Sequence, residues 1–100
     1  MTTKYQIIYW RDIPAQVKMK VGRKRSSRSL SPRFMAAVDA AAMKAGKTDS
    51  DAYMEEWRMG EWQEISGEPE EFADTIVSQL ESDYPGDRLR QLVKQSGWEA

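Results

Sequence analysis

A chain of 100 residues that contains neither cysteine nor histidine has no disulfide, no thiolate nucleophile and no Cys-based metal centre. It also lacks the side chain most used as a general base or transition-metal ligand. Its formal charge of −1 conceals a division: residues 1–44 hold ten Lys/Arg against two acids, and residues 45–100 hold fourteen acids against five basic residues.

Such a split provides a pole for an anionic partner, an acidic pole for something else, or two halves that neutralise each other. The length is that of a single domain, 1–100, with one core, and four Trp and four Tyr belong to a globular composition. A functional surface is then expected as a groove, an edge or a face. Met1–Trp10 has one Lys and no long apolar run, unlike a secretory leader, and no segment approaches the ~20 apolar residues of a membrane span. The expectation is a cytoplasmic protein with no membrane partner.

Lys4–Trp10 (KYQIIYW) is aromatic and β-branched and reads as a strand. Arg11-Asp12-Ile13-Pro14 breaks it, and Asp12 is expected to bond its own backbone in the turn. Ala15–Val21 alternates Val17, Met19 and Val21 with Gln16, Lys18 and Lys20, the pattern of a half-buried antiparallel strand, so the two segments form a hairpin. Gly22–Leu30 (GRKRSSRSL) reads as a polar, basic loop. Ser31-Pro32 then opens a helix that runs to about Ala45, with Phe34, Val38, Ala41, Ala42 and Ala45 on one stripe and Gly46 as its C-terminal cap.

Asp51–Ser66 admits two readings. A hairpin turning at Met59-Gly60 would set Arg58 opposite Glu61 and Trp57 opposite Trp62. A short helix capped by Ser50 would use the four-residue spacing of Tyr53 and Trp57; the hairpin is preferred. Gly67-Glu68-Pro69 begins a helix to about Asp83 with Phe72, Ile76, Leu80 and Tyr84 on its apolar stripe. After Tyr84-Pro85-Gly86, a last helix spans Asp87–Gln95 with Leu89, Leu92 and Val93 facing inward. The expected fold is α+β: a small four-stranded, mostly antiparallel sheet in hairpin-helix-hairpin-helix-helix order, with the helices on one face.

The strongest candidate site is the basic segment with the helix start behind it: Arg23, Lys24, Arg25, Arg28, Ser31 and Arg33. A helix N-terminus and arginine forks both suit a phosphate or a carboxylate, so the cluster reads as an anion- or partner-binding surface. The competing reading is a solvated loop whose arginines satisfy the acidic second half. Trp57 and Trp62 are the candidate partner-facing aromatics. Nucleic acid is the minority reading, because the pI is 5.5 and the basic segment contains no aromatic residue. Glu55, Glu56, Glu61 and Glu64 lack the spacing of a calcium loop, so no metal, no cofactor and no catalytic residue is assigned.

Together, YQIIYWRDIPAQV (Tyr5–Val17), the basic segment, LSPRFMAAVDAAAMKAG (Leu30–Gly46) and DAYMEEWRMG (Asp51–Gly60) resemble a small bacterial family, the virulence factor domain. The resemblance covers nearly the whole chain and is most specific in the first sixty residues. It implies a free-standing member of a family that also occurs beside HEAT-like repeats in conserved virulence factor proteins, and it transfers no reaction and no catalytic residue. Free-standing members of the family it resembles are often encoded near methyl-transfer and folate or corrinoid enzymes. The resemblance therefore implies, as an alternative, a ligand-binding accessory subunit of a one-carbon enzyme system. The leading expectation is a non-catalytic interaction or accessory module with a protein partner of unknown identity and a possible phosphate- or carboxylate-bearing ligand.

Overall fold

The computed structural model describes residues 3–66 and 68–99. In chain order the elements are β1 (Thr3–Trp10), β2 (Ile13–Val21), β3 (Lys24–Ser29), α1 (Pro32–Ala45), α2 (Ser50–Glu55), β4 (Trp57–Met59), β5 (Gln63–Ile65), α3 (Pro69–Asp83) and α4 (Gly86–Lys94). The fold is α+β, with one antiparallel sheet ordered β3-β2-β1-β4 and β5 also paired with β1. No described helix is long and apolar enough to cross a membrane.

β1 and β2 form the expected hairpin, running from Thr3 opposite Val21 to Trp10 opposite Ile13, with a bulge that leaves Ala15 unmatched. Val17 and Met19 are buried while Gln16, Lys18 and Lys20 are only half-buried, as the alternation requires. α1 packs on β2 and α4, and α3 packs on β2 and β3. Their inward residues meet in one core that includes Trp10, Ile13, Val17, Phe34, Val38 and Leu92. α1 ends as expected at Gly46, whose φ of 71° lets its amide and that of Lys47 close onto Met43 and Ala42. α3 begins at Pro69, and Gly67, read as part of its opening, lies outside the described residues.

Two segments depart from the sequence reading. Lys24–Ser29 lies within the expected loop, yet it pairs with β2 throughout, from Lys24 opposite Val21 to Ser29 opposite Gln16. KRSSRS has no apolar residue to signal a strand; the neighbouring β2 ladder imposes the extended backbone, as edge strands allow. Residues 51–66 combine the two readings offered for them, differently from either. Ser50–Glu55 is helical, with Asp49 rather than Ser50 at the cap position. β4 and β5 do not pair with each other; each pairs with β1, at Ile8–Trp10 and Thr3–Tyr5 respectively. They form two halves of one interrupted strand along the second edge of β1. At the interruption Gly60 donates its amide to the Ile7 carbonyl at 2.9 Å. A Cβ on Gly60 would stand 3.1 Å from that oxygen, a tight contact that a larger residue could make only if the strand shifted by a few tenths of an ångström.

The β1–β2 turn is clasped from three directions. Arg11 is 8% exposed and has φ 53°, a left-handed conformation rarely held by a long side chain. Its amide bonds the Glu56 carbonyl at 3.0 Å, Nη1 donates to the Ser96 carbonyl at 2.8 Å, and Nε lies 3.2 Å from Glu56 Oε2. That last contact is an ion pair without hydrogen-bond alignment. The guanidinium sits between Trp10 and Trp98, 5.2 and 5.0 Å from the ring centroids. Asp12 does not bond its own backbone as expected. Its carboxylate accepts from Arg58 at 3.1 Å and from the Glu99 amide at 2.7 Å, and its amide donates to Gly97. Arg58 is therefore committed to Asp12 and lies over Tyr9, not opposite Glu61.

Two tests follow from this packing. Gly97 has φ +95°, and a Cβ there would meet Trp10 Cζ3 at 3.1 Å and Arg11 Cδ at 3.2 Å. Gly97→Ala is expected to cost about 2–4 kcal/mol, from backbone strain and overpacking together, read as a lowered midpoint in urea unfolding. Burial raises the phenol pKa of Tyr9 and Tyr84 above its ordinary value, against the opposing pull of Arg58 and Arg88. A raised folded pKa gives stability that is complete below the unfolded value of about 10 and is lost as pH rises through the folded one. Unfolding free energy is expected to fall above about pH 10, and less steeply in the Tyr9→Phe/Tyr84→Phe double variant than in the parent.

Candidate functional site

Strand register decides which cations of the basic segment stand together. Lys24, Ser26 and Arg28 share a side with Val21, Met19 and Val17. On that side α3 is close: Asp74 holds Arg28 at 2.6 Å, and Phe72 packs on Tyr5 with ring centroids 5.3 Å apart. The alternate residues make transverse rows on the opposite side. Lys4 of β1, Lys20 of β2 and Arg25 of β3 lie abreast, and Gln6, Lys18 and Ser27 form the next row. Outside Lys4 the first row ends in Glu64 of β5.

The six candidate residues fall into two groups. Arg28, Ser31 and Arg33 are taken up internally. Glu81 of α3 accepts the Ser31 amide at 2.7 Å and the Ser31 hydroxyl at 2.8 Å, so a carboxylate of the same chain already occupies the start of α1. Ser31 makes no side-chain bond to its own helix. Arg33 lies 3.1 Å from Glu81 Oε1 and donates to the carbonyls of Glu81 and Tyr84. Arg23, Lys24 and Arg25, by contrast, are exposed and make no ion pair among the described residues.

The two tryptophans also separate. Trp57 is half-buried against the core, edge-on to Tyr53 with centroids 5.9 Å apart. Trp62 is 39% exposed. It stands in the interruption between β4 and β5, where Glu61 and Trp62 together oppose Gln6 alone. The extra residue makes this stretch a bulge in the edge strand, an irregularity of the kind that re-aims side chains. Gln6 is 6% exposed and donates Nε2 to the Gly60 carbonyl at 2.8 Å, pinning the interruption to the sheet.

Between this pinned segment and β3 lies a cavity of about 390 Å³, lined by Gln6, Lys18, Lys20, Arg25, Met59 and Trp62, together with Met19 and two serines. No carboxylate lines it. Its lining combines three cations, Lys18, Lys20 and Arg25, with the apolar side chains of Met59 and Trp62. Of its residues, only Arg25 and Trp62 stand among the candidates read from the sequence. Lys18 and Lys20 are recognisable as the polar face of a strand, but joining them to Arg25 requires knowing that Lys24–Ser29 is itself a strand. A second cavity, of about 440 Å³, lies between α1 and α4 over Ala36, Ala40, Leu89 and Val93. No group of three or more acidic residues is disposed to hold a metal among the described residues.

The profile of the Virulence factor family matches residues 8–93, from within β1 into the last turn of α4. No curated protein matches the chain, and no solved structure does. The matched region takes in the β2–β3 hairpin, the Glu81 cap and the bulge that carries Trp62. The chain belongs to the Virulence factor family.

Proposed function

We propose that the protein is a non-catalytic interaction module that receives an acidic segment of a partner protein along the hairpin of β2 and β3. The observation that carries this reading is the division of the basic cluster. Arg28 and Arg33 have carboxylate partners within the chain, whereas Arg23, Lys24 and Arg25 have none among the described residues. Lys24 and Arg25 lie on β3, which has a neighbour on one side only, and Arg23 in the turn just before it.

An edge strand offers unpaired amides and carbonyls to an extended peptide, and cations beside it favour an acidic one. Exposed charges contribute chiefly to encounter rate and to the rejection of wrong partners, so the interaction is sensitive to salt. The acidic surfaces elsewhere on the chain, with a pI of 5.5 overall, disfavour a polyanion as long as a nucleic acid.

The test is retention of a partner by the tagged protein from the lysate of its native host. Wild-type retention is expected to fall as salt rises from about 0.1 to 0.5 M. The charge-reversed variant R23E/K24E/R25E is expected to retain at least about tenfold less at low salt. Its melting temperature should stay within a few degrees of the parent, because none of the three residues holds an internal ion pair. Retention unaffected by both salt and charge reversal would overturn the proposal.

A further inference from the structure

The cavity on the sheet face has its own chemistry, separate from that of the β3 edge. Lys20 stands directly opposite Arg25 on one side and opposite Lys4 on the other. Side chains so placed have Cβ atoms about 5 Å apart, and like charges directly opposed are unfavourable. Glu64 offsets Lys4 from β5, but no acid stands in the row beside Lys20 and Arg25, and Lys18 follows in the next row. Lys18, Lys20 and Arg25 make no ion pair among the described residues. A row of opposed cations without a counter-charge is relieved by an anion that bridges them.

The lining also includes exposed apolar side chains. Trp62 offers its indole, and Met59, 67% exposed, offers a thioether beside it. Polarizable sulfur and an indole face both suit a planar ring. Gln6 contributes a buried amide at the base, fixed by its bond to Gly60. The volume of about 390 Å³ lies in the range of small-molecule sites and is too small for a folded segment of a partner. The floor consists of paired strands, so the cations are held by a rigid scaffold.

We infer that this cavity is a binding site for a small molecule with a planar ring and a phosphate or carboxylate group, the ring lying against Trp62 and the anion between Lys20 and Arg25. Lys18 adds a second positive charge on the same face. The inference shares only Arg25 with the β3-edge reading, so variants at Arg23 and Lys24 alone separate the two.

The experiment is a titration of the isotopically labelled full chain, followed by amide and indole NMR shifts. The probes are adenosine monophosphate, orotate, adenosine, ribose 5-phosphate and inorganic phosphate, with a twelve-residue oligothymidine as the polynucleotide control. Adenosine monophosphate or orotate is expected to give saturable shifts at Gln6, Lys18, Lys20, Arg25 and the Trp62 indole. Adenosine and ribose 5-phosphate, each with half of the chemistry, should bind at least about tenfold more weakly. The same ligand should raise the melting temperature.

K20A/R25A and W62A should each weaken binding about tenfold or more while remaining folded, and R23E/K24E should leave it unchanged. Loss of partner retention in R23E/K24E with ligand binding intact would separate the two proposals. Shifts with inorganic phosphate alone as strong as with the best ring-bearing probe would overturn the inference. So would tighter binding of the oligothymidine, which would mark a polynucleotide surface, or the absence of saturable shifts with both ring-bearing anions.

Discussion

The buried guanidinium of Arg11 ties together pieces that are otherwise remote in sequence. It occupies the turn of the central hairpin, holds Glu56 at the end of α2 and the Ser96 carbonyl after α4, and lies between two indoles. Breaking a buried ion pair by removing one partner leaves a charge without compensation, at a cost of about 3–5 kcal/mol in measured cases. A left-handed backbone at a long side chain adds strain that persists only where surrounding contacts fix it. Here those contacts come from Glu56 in the middle of the chain and from Ser96 and Trp98 after α4, so the hairpin turn, the α2–β4 junction and the C-terminal segment are stabilised as one unit. The position of β4 against β1 depends on the same junction, because β4 begins one residue after Glu56. The Trp62 bulge inherits its place from this anchor.

Periodicity made the larger elements legible. The alternation of β2 and the helical stripes of α1, α3 and α4 all bury large apolar residues, and burial drives both the pattern and the fold. KRSSRS was not legible, because nothing in it is buried deeply enough to leave a pattern; its strand state is imposed by a neighbour. The split of DAYMEEWRMGEWQEIS into a helical turn and two half-strands was hidden for a related reason. Its partner is the free edge of β1, about fifty residues away, so no local pairing rule reveals it. The site followed the same division. Residue types picked out the arginines, but only register showed that Arg25 belongs with Lys20 and Lys18 while Arg28 faces Asp74.

The charge asymmetry of the chain is partly consumed by folding. Asp74 and Glu81 of α3 reach back to Arg28, Ser31 and Arg33, and Asp12 meets Arg58. Each of these ties connects an element of the first half to one of the second. What remains positive is concentrated at the β2–β3 hairpin and on the adjoining sheet face. Folding thus turns a diffuse compositional bias into a localised field, with the helix start that could have served as an anion site closed by the carboxylate of Glu81.

The outer edge of β3 has a consequence for self-association. A sheet that ends in an unpaired strand is open to extension by a second copy of the same strand, the route by which many β proteins aggregate. An antiparallel duplex of β3 with itself would bring Lys24, Arg25 and Arg28 of both chains into one ladder, and only Arg28 carries an internal counter-charge. Homotypic growth therefore works against its own electrostatics, and most strongly at low ionic strength. The edge is thus open to a strand of opposite charge and poorly matched to a second copy of itself.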